Sequence, residues 1–216
     1  MIYEQKGSTC GMYALVNGLT ALSNKHVSPI ELTQIIGEIV SKTTYTLHPM
    51  QGTTLLGEFF DAQALASFLN QFEKVLTSTL ELPHFQAVVV PFEHLKTKHP
   101  HSFYLLPGCR RKKYIPFSTY AILHWVALLP NGLVLNSAEG TQEIWSEEKQ
   151  RTFHTNLVSR AFSWTKWRRQ NTMDIADEFI AVPTSKQLVA LSKEAPNFHC
   201  TVPYEVGQVV QITLTN

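Results

Sequence analysis

Gln5-Lys6-Gly7-Ser8-Thr9-Cys10-Gly11-Met12-Tyr13-Ala14-Leu15 is the stretch from which the fold is read. Ser8 and Thr9 suit a helix N-cap, because a short side-chain oxygen there can accept from the unpaired amides of the first turn. Leu15, Leu19 and Leu22, with Gly11 and Gly18 on the same side, recur at helical spacing and predict a helix from Cys10 to about Leu22. A cysteine therefore opens a buried helix. The thiolate is the reactive form of that side chain, and a helix N-terminus favours it through its exposed N–H groups and the macrodipole. Gln5 places a carboxamide five residues ahead of the sulfur.

Outward from this stretch, the first third of the chain is expected to be helical. Ser28-Pro29-Ile30-Glu31 gives a cap, a first-turn proline and an acid in the order a helix start requires, and Leu32, Ile35, Ile36 and Ile39 give the following helix its apolar stripe. A third helix is expected from Asp61 to about Phe72, with Leu65, Phe68, Leu69 and Phe72 on one side. Thr43 to Gly57 has the Thr and Gly content of a loop. Later segments favour strands: Gln86–Phe92, Ser102–Leu106, Thr119–Leu129, Leu133–Ser137, Asp177–Val182 and Gln208–Leu214. Two short helices are expected near Ser146–Leu157 and Ser185–Ser192. Helices first and an antiparallel sheet later is the order of an α+β protein, here expected as one domain spanning 1–216. Its helical lobe would run over about 1–72 and its sheet lobe over about 84–216, with a cleft between them for chemistry.

Bulk composition narrows the function. Of the 216 residues, 44% are hydrophobic and 16% charged, which suits a packed chain rather than a disordered one. A net charge of +1 gives no global attraction for nucleic acid. Three cysteines, Cys10, Cys109 and Cys200, do not make a disulfide framework and favour a reducing compartment. No apolar run reaches the ~18 residues of a membrane span, and no secretory signal stands at the N-terminus. The expected location is the cytosol, or a host cytosol into which a pathogen delivers the protein. His99, His101 and Cys109 lack the paired spacing of a metal site.

The second functional segment is Tyr120-Ala121-Ile122-Leu123-His124-Trp125-Val126-Ala127-Leu128-Leu129. It is apolar on both faces, as a central strand is, and a histidine inside it needs hydrogen-bond partners. Pro130-Asn131-Gly132 follows. Pro130 suits the second position of a type I turn and Gly132 a left-handed third loop residue. In that register Leu129 pairs with Leu133, Val126 faces Asn136, and Asn136 lies diagonal to His124, within side-chain reach. A two-residue loop at Asn131-Gly132 would slip the register by one and bring Ser137 or Glu139 to the imidazole instead. The proline favours the first register.

Taken singly, Cys10 suits a small buried hydrophobe, His124 a satisfied core histidine, Asn136 a strand end and Gln5 an exposed side chain. Taken together and in this order, they supply a complete thiol chemistry. His124 takes the proton of Cys10 and returns it to a leaving group, Asn136 holds the ring in one tautomer, and Gln5 and the Cys10 N–H donate to an oxyanion. The arrangement resembles the papain-like cysteine peptidases, and most closely the Josephin deubiquitinases. In that family, too, a Gln-x-Gly-Ser-x-Cys stretch opens the helix, a His-Trp pair follows much later, and an Asn comes after it. The resemblance implies a papain-like fold and hydrolysis of the bond after the C-terminal glycine of ubiquitin or a ubiquitin-like modifier. By position it makes Cys10 the nucleophile, His124 the base, Asn136 the orienter and Gln5 the oxyanion donor. It covers the surroundings of Cys10 and His124; residues 23–119 do not align. The Cys10-Gly11-x-x-Ala14-Leu15 pattern also resembles bacterial double-glycine leader peptidases, which carry an aspartate where this chain has Asn136.

The same site on other substrates would give a peptidase, a glutamine deamidase or an acyl transferase. The same fold with an inert thiol would be a protein-binding module. No cofactor is implied, since thiol hydrolysis needs only side chains and water. Arg110-Arg111-Lys112-Lys113 suits a solvated loop, whereas Trp164-Thr165-Lys166-Trp167-Arg168-Arg169 mixes rings and cations in a way that suits weak contact with a membrane surface.

Overall fold

A computed structural model describes residues 1–6, 9–43, 59, 62–96, 99–111, 121–146 and 208–215. Outside these fall the expected strand at Asp177–Val182, the two short helices save Ser146, the loop at 44–57, Asp61, the 164–169 segment, Lys112, Lys113 and Cys200. Helix α1 runs Cys10–Ser23, α2 Pro29–Thr43 and α3 Ala62–Leu80. Strands β1 (Phe85–Pro91), β2 (Ser102–Arg111), β3 (Ala121–Leu128), β4 (Leu133–Asn136), β5 (Thr141–Ile144) and β6 (Gln208–Leu214) form one antiparallel sheet in the order β1-β6-β2-β3-β4-β5. The architecture is α+β.

Helix α1 is central. Every residue from Cys10 to Thr20 is buried, so it meets protein on all sides and not along one stripe. It packs on β2, β3 and β4, while α3 packs on β1 and β6 and α2 on α3. The approach of α1 to the sheet is set by Gly18. A β-carbon there would stand 2.1 Å from Cε2 and 2.4 Å from Cζ of the Phe103 ring. Phe103 is fully buried on β2 and has no room to withdraw. Gly11 plays a milder version of the same part against Leu65 of α3.

Alternation along the strands sorts the sheet into two faces. Phe85, Ala87, Phe103, Leu105, Trp125, Ala127, Leu135, Val210 and Ile212 join the helices in the main core. Tyr104, Leu106, Val126, Leu128, Val134 and Val209 form a second, smaller cluster with Phe92 on the opposite face. The strand β3 is apolar on both sides, as its sequence requires of an inner strand.

Several boundaries differ from expectation. The third helix continues eight residues past Phe72 to Leu80, because Leu76 and Leu80 extend its buried stripe. Strand β2 runs on through Pro107 and Gly108 to Arg111, pairing with β3 along its whole second half. Phe92 leaves β1 and begins a short 3-10 helix, Phe92–Lys96. Strand β5 was not foreseen: all four residues are exposed, and its Thr-Gln-Glu-Ile sequence carries no apolar alternation. It forms by pairing with β4 at the sheet edge.

Candidate active site

The Pro130-Asn131-Gly132 turn adopts the three-residue form. Gly132 N–H donates to the Leu129 carbonyl at 2.9 Å and Leu129 N–H to the Leu133 carbonyl at 2.8 Å. Gly132 has φ +83°, the left-handed conformation expected of it. Ala127 pairs with Leu135 and Leu128 with Val134, which sets the register that leaves Asn136 diagonal to His124.

The two side chains meet, with His124 Nε2 at 2.7 Å from Asn136 Oδ1. The same oxygen accepts the Ala138 backbone N–H at 3.0 Å, closing an Asx turn beyond β4. A backbone N–H can only donate, so the atom it faces is the carboxamide oxygen. That oxygen can only accept, so His124 Nε2 must carry the hydrogen. In the neutral ring the lone pair then resides on Nδ1. Burial lowers the His124 pKa below the ordinary 6.5, against the opposing pull of the Asn136 hydrogen bond and the negative charge of Glu139. The ring is accordingly neutral near pH 7, with Nδ1 able to take a proton.

Gln5 is brought to the same end of the sheet by its chain. Asn17, buried within α1, accepts the Tyr3 N–H at 2.7 Å and donates to the Tyr3 carbonyl at 3.0 Å. The Tyr3 hydroxyl accepts the Val27 N–H at 2.8 Å. Two residues on, Gln5 N–H donates to the Ser137 carbonyl at 2.9 Å, and Ser137 Oγ donates to Gln5 Oε1 at 3.0 Å. Ser137 is fully buried and directly follows Asn136. Thus the residue that a slipped register would have placed on the imidazole holds Gln5 instead.

Cys10 is the first residue of α1, a thiol outside any disulfide, at 8% exposure. Its N-cap departs from expectation. Thr9 is the cap residue but makes no side-chain capping bond; its hydroxyl donates back to the Lys6 carbonyl, and only its own carbonyl serves the helix, accepting from Met12 and Tyr13. Thr9 therefore does not consume the first-turn amides through its side chain. Hydrogen bonds join His124 to Asn136 and Gln5 to Ser137. Cys10 is connected to these pairs by the chain and by the packing of its helix on β3. Cys109 sits in β2, next but one to Arg111.

Three contributions go beyond what the sequence reading assigned. Ser137 figured only as a rival for the imidazole. Asn17 carries a signal, a carboxamide at a buried position of an apolar helix, which must find partners. Trp125 turns its indole away from His124 and donates to the Phe59 carbonyl at 3.0 Å, tying β3 to the chain that leads into α3. Comparison with protein-family models, with curated proteins and with solved structures finds no match in any of the three.

Proposed function

We propose that the chain is a thiol-dependent isopeptidase of papain-like, Josephin-like fold, acting after the C-terminal glycine of ubiquitin or a ubiquitin-like modifier. The observation that carries the chemistry is the His124–Asn136 contact, with two donors converging on one oxygen. It gives the imidazole one tautomer, held by a group that cannot take its proton, as a base for a neighbouring thiol requires. In this reading Nδ1 accepts the Cys10 proton, and Sγ attacks the carbonyl carbon of the scissile bond. The oxyanion accepts from the Cys10 N–H and the Gln5 carboxamide. The C–N bond breaks as the imidazolium gives its proton to the departing lysine amine, leaving a thioester. Water, deprotonated by His124, cleaves the thioester and restores the thiol. The choice of ubiquitin over another acyl donor rests on the resemblance around Cys10 and His124-Trp125.

A ubiquitin probe with an electrophilic C-terminus tests the proposal. It is expected to form a covalent adduct at Cys10 that Cys10→Ala abolishes and His124→Ala slows. Alkylation of Cys10 by a small electrophile, with no adduct from ubiquitin or ubiquitin-like probes, would keep the thiol chemistry and remove the modifier as substrate.

A further inference from the structure

We infer that Ser137 is a positioning residue that orients the Gln5 carboxamide so that its N–H end, not its oxygen, serves the reacting centre; this rests on the role proposed for Gln5 as oxyanion donor. A carboxamide has two ends of nearly equal size and opposite polarity. An oxyanion site works with one of them and is repelled by the other, since a carbonyl oxygen facing a developing negative charge opposes it. Some neighbour must therefore decide which way the amide faces. Ser137 makes two contacts with Gln5 and can do so. Its carbonyl accepts the Gln5 N–H at 2.9 Å, which fixes where the residue sits. Its hydroxyl donates to Oε1 at 3.0 Å, which occupies the oxygen and leaves N–H bonds as the only hydrogen-bonding groups at the other end. Ser137 is fully buried and Gln5 half-buried, so the serine hydroxyl is held on the protein side of the contact. The position follows from the fold. Asn136 ends β4 with its side chain on His124, and the next residue has its side chain on Gln5, so consecutive residues orient the base and the oxyanion donor.

Two measurements decide this. The first needs no substrate. In 15N-labelled protein the Gln5 side-chain NH2 pair is expected as a dispersed, motionally ordered signal. In Ser137→Ala it should collapse to the averaged position of an exposed glutamine while the backbone amides of α1 and β4 stay in place. The second is a double-mutant cycle on hydrolysis of a fluorogenic ubiquitin C-terminal amide. Ser137→Ala is expected to lower kcat about tenfold in the native background and to have no effect on top of Gln5→Ala, which alone should cost on the order of 10²–10³ in kcat. A purely structural serine would cost the same in both backgrounds. An unchanged Gln5 side-chain signal in Ser137→Ala, or equal costs in the two backgrounds, overturns the assignment. If native protein does not hydrolyse the ubiquitin amide, the substrate proposal falls, and the spectroscopic measurement still decides the role of Ser137.

Discussion

At the scale of single residues, the site depends on one oxygen. Asn136 Oδ1 accepts from both His124 and Ala138, so replacing it removes the ring's anchor and loosens the turn after β4 together. Asn136→Ala is expected to reduce turnover by one to two orders of magnitude, with a smaller loss in Asn136→Asp, whose oxygen keeps both bonds but adds charge. Steady-state kinetics of the pair would show this, and equal activity in Asn136→Ala and native protein would remove Asn136 as the orienter. His124 also leaves a mark on stability. Burial disfavours its charged form, so the folded chain binds this proton less tightly than the unfolded chain does. Between the lowered folded value and the ordinary 6.5, the unfolded state holds more protons and stability rises with pH. The contribution is whole above that window and is lost as pH falls through it. Chemical denaturation of native protein against His124→Gln should show stability falling as pH drops below 6.5 in the former, a slope that is reduced in the latter. The opposite slope would mean that the ring is held charged.

At the scale of elements, two glycines separate steric from conformational demands. Gly18 has room for no β-carbon against Phe103, so Gly18→Ala forces α1 from β2 and is expected to cost roughly 3 kcal/mol or more, despite the higher helix propensity of alanine. Phe103→Leu in the same chain should recover part of it, a non-additivity that urea titration of the two single variants and the pair would measure. Gly132 stands in open space but at φ +83°, so Gly132→Ala should cost only about 1 kcal/mol, the penalty of left-handed backbone. A loss at Gly132 as large as that at Gly18 would contradict this division. The elements also show what a sequence makes legible. The α1 start at Cys10, the α2 start after Ser28, the β6 span and the Pro130-Asn131-Gly132 register all rest on local chemistry, and the structure has them as expected. The continuation of β2 through Pro107-Gly108 and the existence of β5 depend on neighbouring strands, which local pattern does not contain. The Thr9 cap failed for a different, local reason: its hydroxyl had a competing acceptor in the Lys6 carbonyl three residues back.

At the scale of the whole molecule, the sheet is closed by the segment that comes last in it. Strand β6 lies between β1 and β2 and pairs with both, so its register unites strands that precede it by about a hundred residues. Removing 208–216 exposes Val209, Val210 and Ile212 contacts on both faces and leaves two inner edges unpaired, and the shortened chain is expected to lose cooperative thermal unfolding by calorimetry. Long-range contacts also seat the N-terminal segment: residues 1–6 run between Asn17 of α1 and Ser137 beyond β4, and α1 packs on β3. The local halves of the candidate site were legible as motifs. The Asn17–Tyr3 and Ser137–Gln5 contacts were not, because those partners lie far apart in the chain. As proposed, Cys10 is an activated thiol with His124 as its base. The pH dependence of iodoacetamide alkylation at Cys10, followed by peptide mass spectrometry, tests it most directly, since restricted access to the sulfur slows the reaction without moving the inflection. The expected inflection lies well below the about 8.5 of an ordinary thiol and shifts upward in His124→Ala; an inflection at or above that value, unmoved by the substitution, would rule the activated thiol out.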